Sequence, residues 1–410
     1  MFKKILIYIL PIFFTSFLFA NDGNRELQEA AILQDEEARS SDNYVLSAQI
    51  GAYYTQGYGN YIHDGANVGE RKVDFSNIFA SVGFEGIEFD HLRFGANALG
   101  SIKLSGGKTE SGDVYRDNMA SDALLYQLFV GYTSDYFDIS VGREALDLNW
   151  VNDFVQGGRF AIKIPDANTT ISGFYFDRQA VADPNEIVTF DNKVGPTFIG
   201  AISNNSLEFF AVDVYFISAG LFNGAGFDAA LSFGNEDSII SNTILKYTFL
   251  DSKNQEFNNT NYVQLEENLG FGFGESSLGV AVGAIKMFNA KNLDRLEIEV
   301  LGDQNPLEQG DLAYAKDALT IYAGLTYTYN DLFEILLVYG NTSGVKEWDA
   351  DNLTNTKLKG INEINVGFGT TIAGFELSFI YSKILSNNLE AITDKKTNRD
   401  YFEAMVAYNF

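Results

Sequence analysis

The chain has 410 residues, a formal charge of −27, no cysteine, and 5 prolines against 38 glycines, 35 phenylalanines and 22 tyrosines. The acidity argues against nucleic acid as a partner, since phosphate contacts need Lys and Arg, and the missing cysteines remove any disulfide framework. Mean hydropathy is −0.06, and only one stretch, near the N-terminus, comes close to the roughly 20 apolar residues of a membrane helix.

Met1-Phe2-Lys3-Lys4 is a short basic segment, Ile5 to Phe19 is apolar, and Ala20 follows. This is the pattern of a cleaved secretory signal peptide over residues 1–20, although Leu18 stands where a smaller residue is usual. No Cys follows, which excludes lipoprotein processing. Residues 21–43 form an acidic lead-in containing Asp35-Glu36-Glu37. Helical spacing of Leu27, Ala30 and Ala31 predicts a short helix there, expected in the periplasm.

From Tyr44 the apolar period becomes two. Leu92, Phe94, Ala96, Ala98, Gly100, Ile102 and Leu104 alternate with Arg93, Gly95, Asn97, Leu99, Ser101 and Lys103. Leu319, Ile321, Ala323, Leu325, Tyr327 and Tyr329 alternate with Thr320, Tyr322, Gly324, Thr326 and Thr328. Such runs are about eleven residues long, enough to cross a bilayer as a tilted strand, whereas strands of soluble proteins average about five or six. The abundance of aromatics and glycine and the shortage of proline suit the same wall.

The predicted strands are 44–54, 75–86, 91–104, 122–133, 136–145, 158–164, 169–177, 196–203, 207–216, 227–234, 239–250, 262–273, 277–288, 318–329, 332–341, 361–372, 375–385 and 400–410. The expected fold is therefore all-β: a transmembrane antiparallel β-barrel of about 18 strands over residues 44–410, with 16 as the fallback. Its connections alternate. Short ones fall near 86–90, 134–135, 165–168, 204–206, 235–238, 274–276, 330–331 and 373–374; long ones near 55–74, 105–121, 146–157, 178–195, 217–226, 251–261, 289–317, 342–360 and 386–399. Tight periplasmic turns and longer outer loops sort in this way. The last strand ends in Phe410, with Tyr408 on the same face; a terminal aromatic of this kind is the signal read by the barrel assembly machinery. The other expected partner is outer-membrane lipid.

Enzymatic chemistry finds little support. His63 is expected in a long loop and His91 beside a short turn, at opposite ends of the barrel, and nucleophilic catalysis needs a base within hydrogen-bond reach of its nucleophile. With no Cys and no His pair, zinc sites are poorly supported. Loop carboxylates such as Asp294, Glu297, Glu299, Asp303, Glu308 and Asp311 offer the oxygen ligands that Ca²⁺ takes, but not in the spacing of an established calcium loop. A solvated acidic surface is the preferred reading, and no cofactor is expected. Gly270-Phe271-Gly272-Phe273-Gly274 lies on a strand and lacks the context of a phosphate loop.

The pore-lining candidates follow from charge on the third to sixth strands: Arg93, Lys103, Arg143, Arg159 and Lys163, with Asp138, Glu144, Asp147 and Asp153 on or beside the fifth. Facing basic and acidic groups would set up a transverse field across an opening. Arg143 breaks the pattern. Strict alternation from Phe137, Ile139 and Val141 sends it outward, so either it lies above the hydrocarbon band or a bulge re-aims it.

Tyr136 to Ile164 reads YFDISVGREALDLNWVNDFVQGGRFAIKI. Gly142, Arg143 and Glu144 end a strand, and Leu146, Leu148 and Trp150 follow. This segment resembles the third-loop region of Opr-family porins, the major-outer-membrane-protein type of epsilonproteobacteria; Thr170 to Asp177 and the closing EAMVAYNF are similar too. The resemblance implies an eighteen-stranded homotrimer whose third loop folds inward, with cation preference and uptake of small hydrophilic solutes. By carry-over, Arg143, Glu144, Asp147, Trp150 and Asp153 belong on or near the constriction. The acidic lead-in departs from the family pattern. The expected function is a weakly cation-selective outer-membrane porin; a substrate-specific channel and a surface adhesin or structural barrel are the alternatives.

Overall fold

A computed structural model describes residues 44–410 apart from 64–66, 89–90, 110–111, 149, 235–238, 254–258, 289–300, 303, 311–312, 316, 331, 345, 350–353, 358–359 and 387–397. The expected signal peptide (1–20), the lead-in (21–43) and the carboxylates Asp294, Glu297, Glu299, Asp303 and Asp311 lie outside the described residues.

Eighteen strands form the wall among the described residues: β1 (Tyr44–His63), β2 (Asn67–Glu88), β3 (Leu92–Gly106), β4 (Ala123–Thr133), β5 (Phe137–Ala145), β6 (Phe154–Ile164), β7 (Thr169–Ala182), β8 (Thr197–Leu207), β9 (Phe210–Ser218), β10 (Phe222–Gly234), β11 (Ile239–Ser252), β12 (Thr260–Phe273), β13 (Ser276–Phe288), β14 (Leu319–Tyr329), β15 (Phe333–Ser343), β16 (Ile361–Ile372), β17 (Phe375–Ser386) and β18 (Arg399–Asn409). Each pairs antiparallel with its sequence neighbours. β18 returns to β1, from Gln49↔Asn409 to Gly59↔Arg399, and closes the barrel. The Phe410 amide adds a bond of 2.9 Å to the Ala48 carbonyl, so the last residue is stitched into the seam. Among the described residues no helix is long and apolar enough to cross a membrane.

Closure leaves each strand with an inner and an outer face, because successive side chains point to opposite sides of a pleated sheet. The outer face is apolar and uncovered: Val82, Ile102, Leu104 and Val141 are each more than half exposed. The inner face is polar and enclosed: Ser101, Ser140, Glu144, Thr248, Gln264, Glu266, Thr320 and Glu363 are buried. This is the inverse of a water-soluble sheet, which hides its apolar face.

Three connections differ from expectation. The predicted loop at 55–74 is a hairpin ribbon in which β1 and β2 stay paired to His63↔Asn67. The predicted loop at 217–226 shrinks to three residues, because β9 runs to Ser218 and β10 begins at Phe222. β6 starts at Phe154, which shortens the third loop to residues 146–153. Glycine and asparagine in these stretches read as loop, but the neighbouring strand's ladder outweighs local propensity.

The core lies inside the barrel, where inward loops pack on the wall. The β3–β4 connection carries a short helix, α1 (Val114–Asn118). Val114, Tyr115 and Met119 from that connection pack with Tyr53, Phe75, Phe79 and Leu99 of the wall. A second cluster joins Leu146, Trp150 and Val151 of the β5–β6 loop to Leu301, Leu307 and Tyr314 of the β13–β14 loop, against β7–β15.

Because outward and inward positions differ only in parity, neighbouring substitutions separate the two faces. Val82→Lys, on the outer face, is expected to destabilise the barrel in lipid vesicles by about 2–4 kcal/mol, the cost of lysine near a bilayer midplane. Ser81→Lys, turned inward, is expected to have little effect. Urea midpoints of the two variants measure the difference.

Candidate functional site

The β5–β6 loop is a tight reversal. Leu146 N donates to Asp153 O (3.0 Å), and Leu148 N donates to Val151 O (2.8 Å). This presents Trp150 to the far wall. Its indole Nε1 donates to Tyr215 Oη of β9 (3.2 Å) and Thr248 Oγ1 of β11 (3.0 Å). The ring meets Tyr262 of β12 edge-on at 5.1 Å and Tyr314 of the β13–β14 loop at 6.0 Å. Trp150 thus supplies the large buried area and the polar tip that suit it to an anchor. Tyr215 can lie where it does because Gly226 on β10 leaves space; a Cβ there would fall 2.5 Å from the tyrosine oxygen.

Further bonds tie the inward loops to one another. Gln179 Nε2 of β7 donates to Asp153 Oδ2 (2.8 Å) and to Leu301 O (2.7 Å). The β7–β8 connection begins with a turn in which Asp183 N donates to Glu186 O (2.8 Å). That turn crosses to β2, where Asn77 Nδ2 donates to Pro184 O (2.8 Å). The β13–β14 loop is held by Glu363 of β16, which accepts from Gln309 N (2.8 Å) and Gly310 N (3.1 Å). Four loops therefore enter the lumen.

These loops bring carboxylates together. Desolvation in the crowded lumen pushes Asp153 up to about 6, with the Gln179 bond and Lys193 opposing the rise. Desolvation, then the charges of Asp153, Glu186 and Glu403, pushes Asp183 up to about 7. Glu308 is raised as well, by desolvation first and then by Glu403 and Glu363. This cluster therefore carries a negative charge that falls as pH drops through 7 and 6.

A second network lies on the β3–β6 wall and joins four of the sequence-predicted residues and positions. Arg93 Nη1 lies 3.4 Å from Asp138 Oδ2, and Arg159 Nε lies 3.7 Å from Asp138 Oδ1 and 3.5 Å from Glu144 Oε2. Arg159 Nε also donates to Ser140 Oγ (3.1 Å), and Ser140 Oγ donates to Glu144 Oε1. Arg93 stands 5.5 Å over the Phe129 ring. Lys163 is half-buried near the short-turn end of β6, and Asp147 sits on the exposed side of its loop. Lys103 faces Tyr115 of α1, 5.8 Å from its ring.

Arg143 belongs to neither network. β4 and β5 pair only as far as Leu128↔Arg143 and then part. At that fork Arg143 donates to Leu125 O (3.1 Å) and Gln156 Oε1 (3.0 Å), with its guanidinium 4.4 Å from the Phe190 ring centroid. Pairing of β5 with β6 runs without a register shift through Arg143↔Gln156, so no bulge in β5 re-aims the side chain. Gln179, Asp183, Glu186, Glu363 and Glu403 are the lumenal groups that pattern reading did not single out. Glu403 and Glu363 could have been found from their inward parity; the 183–186 turn gives no period to read.

Neither a family model nor a curated protein matches the sequence. Solved structures share the fold. OpdQ of Pseudomonas aeruginosa gives a TM-score of 0.65 at 13% identity, covering 90% of this chain and 97% of that one. OccAB4 of Acinetobacter baumannii gives 0.63 at 12%, covering 88% and 98%. The outer membrane protein OpdK of Pseudomonas aeruginosa gives 0.60 at 9%, covering 89% and 99%. At these identities the likeness is one of fold.

Trp150→Ala removes the anchor of the β5–β6 loop, at a local cost of about 3–5 kcal/mol by analogy with buried Trp truncations. Single-channel recordings are expected to show larger and noisier conductance, with Trp150→Phe in between. The raised carboxylates give a second expectation. The K⁺ over Cl⁻ preference, read from reversal potentials, should fall between pH 8 and pH 5, and Asp183→Asn should remove the part nearest pH 7.

Proposed function

We propose that the chain is an outer-membrane channel for passive diffusion of small hydrophilic solutes, weakly selective for cations. The observation that carries this reading is the inverted wall: uncovered aliphatic side chains outside, enclosed polar and charged side chains inside. Only a bilayer makes such an outer surface favourable. An eighteen-stranded barrel is wide enough for an aqueous lumen, and fixed charge at its narrowest ring sets ion preference. The fold shared with OpdK and the third-loop resemblance to epsilonproteobacterial major outer membrane proteins support the same reading. In it, residues 1–20 direct export, the strand ending in Phe410 is recognised by the barrel assembly machinery, and the barrels assemble as trimers. Arg93, Glu144 and Arg159 line the lumen, Trp150 and Asp153 position the constriction loop with Asp147 on it, and Lys163 lies at the inner mouth. Arg143 staples the fork between β4 and β5.

A second reading, a substrate-specific channel, is favoured by the crowding of the lumen by four loops. Planar bilayers separate the outcomes. Stable open-channel steps with K⁺ preferred over Cl⁻ are expected, and a sealed barrel would overturn the channel. Liposome uptake that saturates for one solute would favour the specific reading over the general one.

A further inference from the structure

One carboxylate stands on the lipid side of the wall. Glu267 of β12 pairs in register with Thr243 of β11 and Val282 of β13, and Val282 is exposed on the outer face. Its outward neighbours along β12 are Val263, Leu265, Leu269 and Phe271, whereas the inward Gln264 and Glu266 are buried. Glu267 lies six residues from Phe273, which ends β12 at a short turn. A tilted strand climbs roughly 2.5 Å per residue, so the carboxylate stands roughly 15 Å up an apolar band about 25 Å tall. Asp251 and Asp400 also face outward, but at the loop ends of β11 and β18.

An ionisable side chain facing the bilayer midplane is costly, although less so for Glu than for Lys or Arg. Glu267 is partly satisfied. Ser241 Oγ donates to its Oε1 (2.6 Å) and Thr243 Oγ1 to its Oε2, both from the outer face of β11. A carboxylate accepts about four hydrogen bonds, so two hydroxyls leave a capacity that lipid chains cannot meet. The complement lies on β7. Tyr175 is outward and 54% exposed, flanked in register by Gly158 and Phe198. Among the described residues nothing bonds its hydroxyl. It stands six residues from Thr169, which opens β7 after a short turn, and so at the height of Glu267.

Copies of one barrel share the membrane plane and differ by rotation about its normal, so a residue meets only residues near its own height. β7 and β12 are five strands apart, about 100° of an eighteen-stranded circumference, too far for contact within one chain. A donor on one flank and an acceptor on another join copies head to tail, the arrangement that closes into a ring. The strip between them is apolar: Ile202, Val214, Phe216 and Leu245 are exposed. We propose that the outer face of β11–β12 around Glu267 docks against Tyr175 on β7 of a second copy of this chain, the phenol donating to the carboxylate across a face that excludes lipid. The proposal rests on the outer-membrane reading above and supplies the contact by which its trimer closes.

The chain has no cysteine, so a double variant, Tyr175→Cys with Glu267→Cys, oxidised in outer membranes reports the contact on non-reducing gels. A covalent ladder that ends at the closed ring is expected, and neither single variant should give it. Native mass spectrometry of detergent-extracted barrels is the second readout. Glu267→Leu is expected to abolish the oligomer, Glu267→Gln, which keeps an acceptor, to retain it, and Tyr175→Phe to lower its dissociation temperature. A lipid-facing Glu267 has the opposite consequence: Glu267→Leu would leave the oligomer intact and raise the urea midpoint of the barrel, and that result would overturn the proposal. Intact rings without the double-cysteine link would overturn it as well. Monomeric barrels that conduct would sink the contact and leave the channel. Linked rings that never conduct would sink the channel and leave the contact.

Discussion

Each backbone N–H and C=O that crosses hydrocarbon must find its partner within the protein, because lipid offers none. For strands this is met only by a sheet without edges. The pairing of β18 with β1 is therefore the contact on which the rest depends. It joins the two ends of the chain's wall, and the Phe410 amide extends it to the last residue. Once the sheet is closed, parity divides every strand into a lipid side and a lumen side, and a polar interior becomes compatible with a chain of modest hydropathy.

Closure also creates an interior that must be partly filled. Here loops do it. Trp150 spans from the β5–β6 loop to β9 and β11; Gln179 joins that loop to the β13–β14 loop; Glu363 fastens the latter to β16. The side chains that fill the lumen are thus also the ones that tie its loops to the wall. Desolvation inside this space raises Asp153 and Asp183, so the packing of the loops also sets their charge.

Arg143 shows how one fork in the wall is managed. Where β4 and β5 separate, Leu125 O loses its strand partner, and the guanidinium supplies a donor while stacking on Phe190. A planar, permanently charged group with several donors suits such a place. Arg93 and Arg159 instead share Asp138, which fixes their orientation toward the lumen.

The sequence by itself determined the barrel, the strand number and most strand positions, because a period of two over about eleven residues is a local property written directly in residue order. It also determined which face of each strand lies outward: Ile102 and Leu104 lie outward and Ser101 and Lys103 inward, as alternation requires. Arg93, Glu144 and Arg159 were legible as inward-facing for the same reason. Only the tertiary structure decided the cluster of inward carboxylates and the fate of Arg143. Asp153, Asp183, Glu308, Glu363 and Glu403 are spread over some 250 residues and meet only because four loops fold back into a closed wall, and loops carry no period that would reveal where they return. The hairpin extension of β1 and β2 was hidden likewise, since a ladder with a neighbouring strand overrides the loop-like composition of either one.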